Sequence, residues 1–184
     1  MFGDAYDGHD VQRPKYGNVN FLAHVRGDRS AWQYGNSYLL LRPQVRARCT
    51  ITSRDSSSRR AALGTPEHCA HVLLDVLRLC PDAHRRALAE VLLHLGDPTR
   101  DGAVGAIEAG IDALRSRGLH YTELQIHGSV DFARDVTLVV VAGEDVVRGR
   151  ALGEDAQAAL WRRFKERFGV APYHMSAHGM VPLG

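Results

Sequence analysis

The residues best suited to chemistry form an alternating run in the last third of the sequence: Glu123, Gln125 and His127. In a strand, these three polar side chains would share one face, and the apolar Leu124 and Ile126 would share the other, buried face. A carboxylate beside an amide can bind sugar hydroxyls and stabilise an oxocarbenium-like centre, which forms when a glycosidic C–N or C–O bond breaks. The run therefore predicts the wall of an open cleft, although by itself the pattern favours a half-exposed strand with a solvated polar face.

A second candidate is the pair of hydroxyls of Thr50 and Thr52, which share one face of the β-type run at residues 49–53. Two hydroxyls on one face can orient a catalytic carboxylate or contact a ribose. The strong β-propensity of threonine explains the same residues without any ligand and is the simpler interpretation.

Two aromatic–glycine–amide clusters stand near predicted strands, at residues 16–18 (Tyr-Gly-Asn) and 34–37 (Tyr-Gly-Asn-Ser). A glycine beside a tyrosine lets a flat ligand approach the backbone while it stacks on the ring. The same residues are common turn formers, so the clusters also fit turns that flank strands.

Several site classes have no counterpart in the sequence. A nucleophile elbow, a P-loop and a dinucleotide-binding glycine motif are missing. The histidines and cysteines at positions 68, 69, 71, 174 and 178 match no four-ligand zinc spacing, so we expect no metal.

Composition narrows the classes of partner. The 184 residues include 23 basic and 21 acidic side chains, for a net charge of +2, which favours neither nucleic acid nor an anionic membrane. Three cysteines form no readable disulfide framework, and the first residues resemble no signal peptide. We therefore expect a cytoplasmic protein, with export by a signal-independent route as the alternative.

The elements that must position these residues follow from periodicity. Strands, then helices, then strands again favour an α+β fold with a small mixed or antiparallel sheet, a three-helix middle and a C-terminal helix. We expect one domain over residues 1–184, with residues 1–15 as an arm or as the remnant of an upstream segment. The predicted strands are 18–22, 33–41, 49–53, 120–127 and 170–175, with a turn and a further β-type run within 131–141; the predicted helices are 66–80, 82–96, 102–117 and 155–168.

Three motifs, taken together and in this order, resemble a bacterial family known as domain of unknown function 3626. They are residues 13–20 (RPKYGNVN), residues 34–39 (YGNSYL) leading into 45–52 (VRARCTIT), and residues 123–128 (ELQIHG). The opening residues 2–8 are also similar to that family. The resemblance covers both ends of the chain and not its helical middle.

That family in turn resembles the ADP-ribosyltransferases, which hold NAD with an Arg or His on a first strand, brace the site with a Ser/Thr strand and use a Glu on a later strand. The resemblance implies NAD as substrate and a protein among the acceptors. It implies that Glu123 and Gln125 are catalytic. It implies NAD contacts by Arg13, Tyr16, Tyr34, Ser37, Thr50, Thr52 and His127.

The sequence departs from that pattern in ways that define an alternative. The carboxylate comes first and the amide second, Glu123 before Gln125, which reverses the usual order. The resemblance also implies an upstream Arg-containing segment for which Arg13 is the nearest substitute, and Arg54 stands where the family tends to have Gly. The alternative prediction is an inactive or truncated family member that acts as a protein-interaction domain.

Overall fold

The computed structural model describes residues 13–20, 27, 29–58, 60–80, 85, 89, 122–143, 153–176 and 179–183. The chain divides into two compact units, each built from separate stretches. Unit 1 comprises Met1–Ala31 and Arg48–His127, and unit 2 comprises Trp32–Ala47 and Gly128–Gly184. Each unit contains a four-stranded sheet and helix, which confirms the α+β class. The expectation of one domain stays a prediction.

The described part of unit 1 contains the strands β1 (Lys15–Asn18), β3 (Cys49–Thr52), β4 (Leu63–Gly64) and β5 (Glu123–Ile126) and the helix α1 (Ala70–Leu79). The four strands form an antiparallel sheet in the order β1-β5-β3-β4. β5 lies between β1 and β3, although more than 70 residues separate it from either along the chain. This pairing brings the two chemistry-bearing runs of the sequence side by side.

The register of unit 1 sorts the polar side chains onto one face. Asn18 and Thr52 lie opposite Glu123, while Tyr16 and Thr50 lie opposite Gln125. Directly opposed residues in antiparallel strands point to the same side of the sheet. One face of β1, β5 and β3 therefore carries an uninterrupted polar set.

The other face of this sheet is apolar and meets α1 at a glycine. Ile51 and Ile126 are buried there, and Val72 of α1 is fully buried. A Cβ on Gly64 would lie 2.6 Å from the carbonyl oxygen of His68 and 3.1 Å from a Val72 methyl carbon. The missing side chain of Gly64 therefore allows the chain before α1 to approach β4 closely.

We predict that Gly64→Ala destabilises the protein by about 1–3 kcal/mol, because the new methyl group meets backbone that cannot move aside. Gly17→Ala is the matched control, since its Cβ would make only ordinary contacts of 3.9–4.0 Å with Leu124 on the same sheet. Urea unfolding measures both variants. Equal stability of the two variants would contradict the close approach at Gly64.

Unit 2 contains a mixed sheet with strand order β2-β6-β7-β8. Its elements are β2 (Tyr38–Leu41), α2 (Phe132–Asp135), β6 (Val136–Val141), α3 (Glu154–Phe168), β7 (Pro172–Ser176) and β8 (Gly179–Pro182). β6 and β7 are parallel, and α3 lies between them in the chain, as a parallel connection requires.

The core of unit 2 forms where the sheet meets the aromatic side chains of its helices. Buried valines of β6 and Val170 pack against Phe132 and Phe164. The ring of Phe132 contacts the rings of Phe164 and Phe168 with centroids 5.6 and 4.8 Å apart. The amphipathic helix predicted over residues 155–168 is confirmed as α3, and its apolar side chains supply this core.

Several predicted boundaries were wrong for identifiable reasons. Among the described residues the first strand is Lys15–Asn18, and residues 19–20 of the strand predicted over 18–22 are not in a strand, while 21–22 lie outside the described residues. The strand predicted over 33–41 shortens to β2, because a 3₁₀ helix occupies Arg29–Tyr34 and Gly35 has a positive φ of 105°. A second 3₁₀ helix follows at Pro43–Arg48.

The start of α1 also differs from the prediction. The helix predicted over residues 66–80 begins only at Ala70, because Thr65, a residue type common at helix caps, pairs with His68 in an isolated β-bridge. The short β4 and the edge strand β8 were not predicted. The second and third predicted middle helices lie outside the described residues, apart from positions 85 and 89. Within the described part of the chain, no helix is long and apolar enough to cross a membrane.

Candidate active site

The polar face of β5 is buried. Glu123 is 3% exposed and Gln125 is 8% exposed, so the face is neither solvated nor the wall of an open cleft, as the sequence pattern had suggested. β5 is flanked by β1 on one side and β3 on the other, and the loop after β3 reaches the carboxylate of Glu123. In that loop the backbone N–H of Ser56 donates to Glu123 Oε2 at 3.4 Å. Period-2 alternation assigns Glu123 and Gln125 to one face, but it does not encode which parts of the chain cover that face.

Two buried and two half-buried side chains form a continuous series of hydrogen bonds, which we call the polar row: buried Glu123 and Gln125, and half-buried Thr50 and His127. The amide nitrogen of Gln125 donates to Glu123 Oε1 at 3.0 Å. Thr50 Oγ1 lies 3.3 Å from Gln125 Oε1 and 3.0 Å from His127 Nε2. The sheet register explains the series, because Thr50 stands directly across from Gln125.

Thr52 lies opposite Glu123 but does not join the polar row. Its hydroxyl donates to the backbone carbonyl of Arg54 at 2.7 Å, and the residue is 4% exposed. The two threonines predicted as a pair therefore have different partners. Thr50 contacts the side chains of β5, and Thr52 holds the start of the loop that reaches Glu123.

A second polar cluster anchors that loop to α1. Ser53 Oγ donates to Asp75 Oδ2 at 2.5 Å and accepts from the Ala62 backbone N–H at 3.0 Å. Arg54 Nη2 donates to the same Asp75 oxygen at 3.1 Å. The pKa of Asp75 is lowered below its ordinary value of 3.8. The largest cause is the hydrogen bond from Ser53, and the hydrogen bond and positive charge of Arg54 add to it.

We predict that Asp75→Asn lowers the free energy of unfolding at neutral pH and flattens its decline in acid. A carboxyl group whose pKa is lower in the folded than in the unfolded protein stabilises above its ordinary pKa, and this contribution is lost as pH falls through the folded value. Unfolding by urea from about pH 5 to about pH 2 covers this range. The side chain of Asp75 is 22% exposed, so solvent screening moderates the effect.

Asp155→Asn is the matched control for this measurement, because Asp155 is exposed at the start of α3. It should retain the acid decline of the wild type. A decline of the wild-type size in Asp75→Asn would show that the Ser53 and Arg54 contacts do not stabilise the fold through this carboxylate.

The other predicted site residues fall into two groups. Tyr16, 49% exposed, lies opposite Gln125 in unit 1, and Arg13 is exposed two residues before β1. Tyr34 and Ser37 belong to unit 2, where Tyr34 is 69% exposed and Ser37 Oγ accepts from the Ala142 backbone N–H at 2.9 Å. Unit 1 thus brings together most of the predicted set without these last two residues.

Sequence reasoning missed the residues that position Glu123 from outside its strand. The Ser56 backbone N–H comes from a loop, and Asp75 comes from a helix, so no period-2 pattern indicates either of them. Asn18 was visible only as part of an aromatic–glycine–amide cluster. Burial raises the pKa of the Cys49 and Cys80 thiols, which disfavours the nucleophilic thiolate form at both positions.

Comparison with known proteins identifies the family. The model of the family described as protein of unknown function DUF3626 matches residues 1–165. The chain belongs to this family. The match extends through the helical middle, which the three motifs by themselves did not cover. No curated protein matches the chain.

Proposed function

We propose that this DUF3626 protein is an ADP-ribosyltransferase-like domain that acts on NAD and transfers ADP-ribose to a protein acceptor or to water. The observation that carries the proposal is the buried carboxylate of Glu123. It lies on a central strand, opposite Asn18 and Thr52, and both of its oxygens accept hydrogen bonds from the protein. A carboxylate in such an environment can act on a developing positive charge.

In the proposed reaction the bond between C1′ of the ribose and the nicotinamide nitrogen breaks, and its electron pair leaves with nicotinamide. Glu123 accepts a hydrogen bond from a ribose hydroxyl and stabilises the positive charge at C1′. The acceptor then forms a bond to C1′ and releases its proton to solvent. Burial strengthens this stabilisation, because charges interact more strongly where water is excluded.

Tyr16 supplies a surface for the departing ring. Its side chain is half exposed and stands on the edge strand β1, directly across from Gln125. Diagonal neighbours on one sheet face are roughly 7–8 Å apart, so Tyr16 is within the length of a nicotinamide riboside from Glu123. An aromatic face at this distance suits stacking with nicotinamide while the sugar lies at the carboxylate.

Substrate entry requires the loop after β3 to release Glu123. The contact between the Ser56 N–H and Glu123 Oε2 is 3.4 Å, longer than the usual range for a strong N–H···O bond. The anchors of the loop are shorter and lie at Ser53 and Thr52. We infer that the segment around Ser56 moves while its anchors stay in place.

We predict that Glu123→Gln lowers the rate of nicotinamide release from NAD about 10²- to 10³-fold, because it removes the negative charge from the reaction centre. Glu166→Gln, at an exposed position on α3, is the matched control and should retain wild-type activity. Release of nicotinamide is followed by chromatography at millimolar NAD. Wild-type rates in Glu123→Gln, or no NAD binding by the wild type, would refute the proposal.

The second candidate function is a non-catalytic family member that binds a protein partner. It is favoured by Gln125, which occupies the second position of the pair with an amide in place of a carboxylate and which donates to Glu123 and accepts from Thr50. In that case the polar row only stabilises the sheet.

Gln125→Glu separates the two candidates. In an active enzyme it places two carboxylates side by side, which cannot both ionise easily, so nicotinamide release should fall and depend more strongly on pH. In an inactive member it supplies a carboxylate at the second position, and release should rise above that of the wild type. A steady-state comparison of the two proteins over a pH series gives the answer.

A further inference from the structure

The donors and acceptors of the polar row restrict one another. A threonine hydroxyl has one proton to donate, a carboxylate can only accept, and a glutamine amide donates through nitrogen and accepts through oxygen. Every member of the row contacts the next, so the direction chosen at one end determines the direction at the other. The positions of protons and of the amide atoms follow from this accounting.

With Glu123 ionised, the hydrogen bonds of the polar row can run in one direction. The Gln125 nitrogen must face the carboxylate, and its oxygen therefore faces Thr50. Thr50 gives its proton to that oxygen, so its lone pair accepts from His127, whose Nε2 must carry a hydrogen. Donation then runs from His127 through Thr50 and Gln125 to the carboxylate.

With Glu123 protonated, every bond can reverse. The acid proton goes to the Gln125 oxygen, the amide nitrogen donates to Thr50, and Thr50 donates to an unprotonated Nε2 of His127. Two fully bonded arrangements thus exist, and the protonation of Nε2 distinguishes them. A mixed arrangement sets two donors or two acceptors against each other, and at the buried Gln125 the lost hydrogen bond costs about 1–3 kcal/mol.

The backbone holds His127 in position for this role. Its N–H donates to the Arg48 carbonyl at 2.9 Å, and its own carbonyl accepts from Arg48 Nη1 at 2.9 Å. Arg48 therefore fixes both backbone polar groups of His127, just beyond the end of β5. These two hydrogen bonds hold the backbone of His127 where its ring can contact Thr50.

We propose that His127 and Thr50 are positioning residues for Glu123, acting through Gln125, and that His127 Nε2 carries a hydrogen in the active protein. This rests on the proposed function, which requires Glu123 to be ionised. The row orients the carboxylate oxygens toward the ribose, and each bond polarises the next. The three side chains assigned by resemblance to catalysis or NAD contact thereby serve the carboxylate rather than the substrate.

The first test measures the hydrogen-bond direction of the polar row and does not depend on enzymatic activity. Nitrogen-15 NMR of the labelled full-length protein distinguishes protonated from unprotonated imidazole nitrogens, and His127→Gln assigns the resonances. We expect Nε2 of His127 to be protonated at neutral pH, whether or not Nδ1 is protonated as well. An unprotonated Nε2 overturns the proposal, because it requires the reversed direction.

The second test separates positioning from support of the fold. Thr50→Val keeps the shape of the side chain but removes the hydroxyl, so kcat for nicotinamide release should fall about ten- to a hundredfold with little change in KM. Thr50→Ser restores the hydroxyl and should recover most of the loss. Thr137→Val, on the exposed face of β6, is the matched control and should behave as the wild type.

The outcomes distinguish this inference from the proposed function. A protonated Nε2 that becomes unprotonated or disordered in Thr50→Val, in a protein that releases no nicotinamide, supports the row and refutes the enzyme. Nicotinamide release that depends on Glu123 but is equal in Thr50→Val and the wild type refutes the positioning role and supports the enzyme. A folded Thr50→Val protein is verified by its urea midpoint.

Discussion

The structure of unit 1 depends on keeping one buried carboxylate satisfied. Glu123 is 3% exposed on a central strand, and an unpaired charge there would be strongly destabilising. The protein meets this requirement from two directions, through the Gln125 amide within the same strand and through the Ser56 N–H of a neighbouring loop. Thr50 and His127 extend the first of these contacts, and Thr52, Ser53 and Arg54 anchor the loop that supplies the second.

The loop that carries Ser56 is in turn held by contacts on both sides of the sheet. Thr52 binds the Arg54 carbonyl on the polar side, while Ser53 and Arg54 share an oxygen of Asp75 on α1. The close approach at Gly64 places the chain before α1 against β4. Gly64 and the ion pair between Arg54 and Asp75 thus hold the surroundings of the Glu123 carboxylate without contacting it.

Much of the fold and part of the site could be predicted from the sequence. The β-branched residues of positions 49–53 located β3, period-2 alternation located β5, and the 3.6-residue period located α3 almost to its ends. The predicted start of α1 was wrong because two local preferences compete there. Thr65 is a residue type that commonly caps helices, but it pairs with His68 in a β-bridge instead. The burial of Glu123 could not be predicted, because alternation assigns residues to faces but does not say what covers a face.

The sequence by itself determined which side chains share a face, since the period of a strand is a local property of the backbone. It therefore grouped Glu123 with Gln125 and His127, and Thr50 with Thr52. Only the tertiary structure decided that β3 and β5 are neighbours and that Thr50 stands opposite Gln125. Pairing between strands more than 70 residues apart depends on the packing of the whole unit, and hydrogen bonds between their side chains depend on that register.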